Sequence, residues 1–137
     1  MGSVTPLKVD ATTQLAAELA SGDIVSPGAL GNVATPVTSS GGTLYTTASQ
    51  SNFFTLTITE NITAFISGVP VGNNVFTFAL LITQDATGGH TFTLPPVWKA
   101  LGNSDTAIQT APGAKTLIVF TTIGQSFYCY SMAKVAA

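Results

Sequence analysis

Residues 54–59 read Phe-Thr-Leu-Thr-Ile-Thr, and residues 75–83 read Val-Phe-Thr-Phe-Ala-Leu-Leu-Ile-Thr. The first run alternates an apolar residue with threonine at every step. Successive side chains of a strand point to opposite faces, so this period of two predicts a strand with one dry face and one wet face. The second run is apolar on both sides, with Phe76, Phe78, Leu80 and Ile82 on one and Val75, Ala79 and Leu81 on the other. A strand of that kind is expected between two layers or at a contact between subunits. Val75, Ala79 and Leu81 are therefore candidate contact residues.

Working outward, Thr63–Ser67 is a further short strand, ended by Gly68-Val69-Pro70. Lys115–Thr122 and Ser126–Met132 are two more, joined by a turn at Ile123-Gly124-Gln125. Between Ile82-Thr83 and His90 lies Gln84-Asp85-Ala86-Thr87-Gly88-Gly89, which has the composition of a hairpin loop. Its glycines supply positive φ, and Asp85 is placed to accept backbone N–H groups as an Asx turn. Thr91-Phe92-Thr93-Leu94 alternates again and predicts the returning strand, until Pro95-Pro96 removes two ladder donors. Many short strands without a strong helix between them predict an all-β body over residues 43–137, an antiparallel β-sandwich or jelly-roll-like fold.

Residues 1–42 differ in texture. They are poor in aromatics and interrupted by Pro6, Pro27 and Pro36. Residues 12–20 have the pattern of two helical turns, too short to be stable alone. Leu7, Val9, Leu15, Leu19, Ile24, Val25 and Leu30 are apolar but spaced too irregularly for one amphipathic element. The segment is expected to be an extended arm whose apolar residues contact another surface, since an arm cannot bury them itself.

Composition narrows the function. Only 7% of the 137 residues are charged, the net charge is -2, and arginine is absent. The four cations, Lys8, Lys99, Lys115 and Lys134, form no basic stripe, so nucleic acid is not an expected partner. The longest strictly apolar run, Phe78–Ile82, is far shorter than the ~18 residues that span a bilayer. No basic n-region followed by an apolar h-region opens the chain, so neither a membrane partner nor a signal peptide is expected. So little charge on a soluble chain predicts that much of its surface is covered in an oligomer or assembly.

Residues able to carry chemistry are few. His90 is the sole histidine, so a metal site of several histidines cannot form within one subunit, and a serine triad has one possible base. Glu60, Asp85 and Asp105 stand beside turn residues, where acids more often close turns than act as a catalytic pair. No Gly-Lys-Ser/Thr phosphate loop is present. Cys129, the single cysteine, lies in an apolar strand and reads as a small buried hydrophobe. Trp98 reads as an aromatic lid over one end of the core. Asn61-Ile62-Thr63 matches a glycosylation sequon and is read as chance. No enzymatic activity, metal or cofactor is expected.

The stretch TLTITENITAFISGVPVGNNVFTFALLITQDATGGHTFTLPPVW, with GAKTLIVFTTIGQSFYCYSMAK towards the end of the chain, resembles β-sandwich modules of tailed-bacteriophage virion proteins. These occur in head decoration proteins, head fibres and tail-fibre tips. QLAAELASGDIVSPGALG, residues 14–31, is similar to connectors in phage appendages. The resemblance implies a structural virion protein, a homotrimer, with no catalytic residue to carry over. With an arm and one body but no coiled-coil heptads or β-helix repeats, the chain reads first as a decoration (cement) protein on the outer capsid surface, bound to the major capsid protein. The alternative is a tail-fibre or head-fibre tip that binds a receptor or carbohydrate. Tyr45 with Trp98 is the aromatic pair available for that second task.

Overall fold

A computed structural model describes residues 33–137. Eight strands follow one another along the chain: β1 (Thr35–Val37), β2 (Thr43–Thr47), β3 (Phe53–Ile58), β4 (Ala64–Gly68), β5 (Val75–Gln84), β6 (Lys99–Ala100), β7 (Lys115–Ile123) and β8 (Phe127–Lys134). The described residues contain no helix, and the all-β expectation holds. The pairing is not antiparallel throughout. β1, β3 and β5 lie side by side in parallel, β7 is antiparallel to β5, β8 is antiparallel to β7, and β6 closes the far edge parallel to β8. β2 and β4 form a separate parallel ribbon.

The departure has a physical cause. Period-two patterning states which face of a strand is buried, but not which strand lies beside it. The expected neighbours in sequence, β3 and β4, fall in different sheets. From β1 to β5 the chain switches sheet at every strand and returns each time beside the strand it left, as a flattened parallel coil. Parallel neighbours need a long crossover; here β2 and β4 are those crossovers. Only after β5 does the chain turn back on itself, and β7–β8 is joined by the tight turn Gly124-Gln125-Ser126. Gly124 has φ 50°, and a Cβ there would run into the carbonyl of Gly72, so the turn admits no side chain at that position.

The core lies between the six-stranded sheet and the ribbon. Phe54, Leu56 and Ile58 of β3, Phe76, Phe78, Leu80 and Ile82 of β5, and Ile118 and Phe120 of β7 are buried on the inner face. Leu44 of β2 and Phe65 of β4, partners in the ribbon's register, close over them from the other side. Each such side chain removed from water contributes about 1.5–3 kcal/mol. Phe120 is central: it stacks on Phe78 at 4.8 Å between centroids and meets Trp98 edge-on at the same distance. Trp98 is buried and also meets Tyr128 edge-on, so it packs within the core. Cys129 is buried, as its apolar surroundings predicted.

Candidate functional site

The expected hairpin after β5 does not form. Both edges of β5 are occupied, by β3 and by β7, so residues 91–94 have no free edge to join. Phe92 instead makes an isolated parallel bridge to Ile62, and His90 lies outside any strand. A side chain supplies what the ladder does not. Gln84, the last residue of β5, is buried; its Oε1 accepts the His90 N–H at 3.2 Å, and its Nε2 donates to the carbonyls of His90 and Gln109 at 2.7 and 2.8 Å. One amide therefore satisfies three backbone groups that the interior would otherwise leave unpaired.

The polar residues of this loop have structural tasks. Asp85 Oδ1 accepts the N–H groups of Thr87 and Gly88 at 3.0 and 2.8 Å, the Asx turn read from the sequence. The Gly88 N–H, with a smaller contribution from His90, holds the Asp85 carboxyl below its ordinary 3.8. His90 Nε2 lies 3.2 Å from the same oxygen but off the line of a hydrogen bond. Glu60 likewise closes a turn, accepting from Ser39 Oγ at 2.6 Å and from the Gly42 N–H at 3.1 Å. Asn61 of the sequon uses its Oδ1 to accept the Thr91 N–H. Among the described residues no three metal-ligating side chains come together.

The three candidate contact residues of β5 share the outer face of the large sheet. Leu81 lies between Thr55 of β3 and Leu117 of β7, Ala79 between Phe53 and Val119, and Val75 beside Ile123. Val75 is 66% exposed, and Phe127 at the start of β8 is 47% exposed. The face thus continues across strands the sequence reading did not include. Leu117 and Val119 carry the same two-sided apolar pattern in KTLIVFTTI, the signal that could have placed them there. Leu7, Val9, Leu15, Leu19, Ile24, Val25 and Leu30 lie outside the described residues.

A second surface opens on the ribbon. Tyr45 of β2 and Ile66 of β4 are register partners and point away from the core, 63% and 49% exposed. The inward-facing alternates fix them from behind: Leu44 and Phe65 are buried, and Thr46 Oγ1 donates to Ser67 Oγ at 3.3 Å. Between this face and β1 runs an open groove of about 550 Å³, lined also by Pro36, Thr38, Thr47 and Gln50. Of the two aromatics singled out in the sequence, only Tyr45 is therefore accessible.

The model of a family described as "Putative phage tail fibre C-terminal domain" matches residues 40–126, more than half of the chain. The match begins beside the turn that Glu60 closes and runs through the β7–β8 turn, so it takes in strands β2–β7 complete. No curated protein and no solved structure matches.

Proposed function

Because the chain belongs to the family of phage tail fibre C-terminal domains, a structural component of the virion, we propose that it is the receptor-facing tip module of a tail fibre and works as a homotrimer. The family match over residues 40–126 is the observation that carries the fibre assignment. It supports the alternative raised by the sequence and gives no support to the outer capsid surface or to a major capsid protein as partner.

The trimer rests on the outer sheet face. A sheet with one side in water normally presents polar residues there. This one presents Val75, Ala79, Leu81, Leu117 and Val119 along its two central strands, interrupted by the Thr77–Thr121 hydroxyl pair, and its charge, Lys115, sits at a strand end. Packed against neighbouring copies, the face becomes the interior of a fibre, and the low charge of the chain has its reason. The role is structural and adhesive: Glu60 and Asp85 spend their carboxylates on turns, which suits a module that binds.

Two measurements test the reading. The purified chain should sediment as a trimer, and in excess it should block adsorption of the phage to its host cells. A chain that occupies no site on those cells and leaves adsorption unchanged would remove the receptor-binding role.

A further inference from the structure

We propose that the groove between β1 and the β2–β4 ribbon binds a neutral saccharide, with the Tyr45 ring as its platform. The inference rests on the receptor-facing reading above and adds to it a site and a ligand class.

The groove is rigid where it needs to be. Tyr45 and Ile66 project from paired strands whose opposite face is packed into the core, so the platform exists before a ligand arrives. Preformed sites avoid the ordering cost of binding. The volume of about 550 Å³ lies in the range of small-molecule sites. A tyrosine left 63% exposed on a strand combines a flat apolar face with a polar tip. A pyranose ring has the complementary form: one face of C–H groups and a rim of hydroxyls.

Hydrogen-bonding groups surround the platform. The Gln50 amide, the Thr38 hydroxyl and the Tyr45 phenol make no hydrogen bond to another described side chain or backbone group, and all three residues are exposed. An amide offers both donors and acceptors, which suits adjacent sugar hydroxyls. Thr47 Oγ1 is held 3.2 Å from Ser49 Oγ and can accept a further donor.

Charge selects the kind of sugar. None of the groove residues is ionisable apart from Tyr45, and the described lysines lie elsewhere, on β6, β7 and β8. An anionic glycan or phosphate would need a cation to replace its water. A neutral ligand needs none.

The bordering edge argues against an extended peptide. β1 has three residues and its middle one is Pro36, which lacks an N–H and weakens the edge as a template for an added strand.

The test is a printed array of neutral and acidic oligosaccharides probed with the full chain. Tyr45→Ala, Tyr45→Phe and Gln50→Ala are compared with it, all checked for unchanged thermal unfolding. Binding confined to neutral sugars, weakened about tenfold or more by Tyr45→Ala, several-fold by Gln50→Ala and little by Tyr45→Phe, is the expected result. Binding only to acidic sugars, binding that survives Tyr45→Ala, or no binding on the array would overturn the proposal. Adsorption assays separate this failure from that of the fibre-tip reading. If the wild-type chain blocks adsorption and Tyr45→Ala blocks it equally well, the tip function stands and the groove is wrong. Blocking abolished by protease treatment of the cells but not by periodate would assign the receptor to protein and likewise exclude the saccharide.

Discussion

Gln84 holds three backbone groups through one side chain. Replacing it with leucine keeps the volume but strips the His90 N–H and the His90 and Gln109 carbonyls of their partner. Each buried group left unpaired costs about 1–3 kcal/mol, softened here because the loop is half-exposed and water can reach part of it. Gln84→Leu is expected to lower stability by about 2–3 kcal/mol in urea unfolding, with adsorption intact in the fraction that stays folded. Thr122 presents the opposite case: it is fully buried, and its Oγ1 has no hydrogen-bond partner. Valine has the same shape without the hydroxyl, so Thr122→Val should raise stability by about 1 kcal/mol in the same experiment. Asp85 makes a prediction in pH. Its carboxyl is held below 3.8 in the folded chain, so its stabilising effect is complete above that value and is lost as pH falls through the lower, folded one. The stability difference between wild type and Asp85→Asn should therefore be constant near neutrality and shrink below pH 3.8.

Among the elements, β5 decides most. Its inner residues are core and its outer ones belong to the proposed interface, so the two faces are separable by mutation. Leu81 is only half-buried between Thr55 and Leu117. Leu81→Asp should leave a folded chain with near-native circular dichroism but shift sedimentation from trimer to monomer, because an unpaired charge is costly in a closed interface. A variant that unfolds outright would place Leu81 in the core, and one that stays trimeric would move the interface elsewhere. The faces of β3, β5 and β7 were legible in the sequence because burial imposes its period on the residue pattern. Neighbours were not legible. Nothing in FTLTIT states that the strand beside it is β5 in parallel and not β4, since the crossovers are short strands with the same alternation. The return strand expected at residues 91–94 failed for a related reason: a competing partner on each side of β5 is a property of the whole sheet. Gln84 standing in for a strand leaves no compositional trace. Of the candidate site, Tyr45 was visible as an aromatic residue among small polar ones, but its exposure and the burial of Trp98 follow from packing.

At the scale of the whole molecule, a parallel coil of two layers passes into an antiparallel end, and one sheet face carries an exposed apolar band among threonines. An isolated domain gains nothing from such a face, whereas a fibre tip made of identical chains buries it by symmetry. The same account explains the near-absence of charge, which suits a chain whose surface is shared between neighbours and a neutral ligand. The central claim, that this chain belongs to a fibre and not to the shell, is open to one direct count: the number of copies per virion, by quantitative mass spectrometry of purified particles against the major capsid protein. The account predicts a small multiple of three, on the order of ten, as symmetric trimeric fibres require. Hundreds of copies, in fixed proportion to the capsid protein, would contradict it.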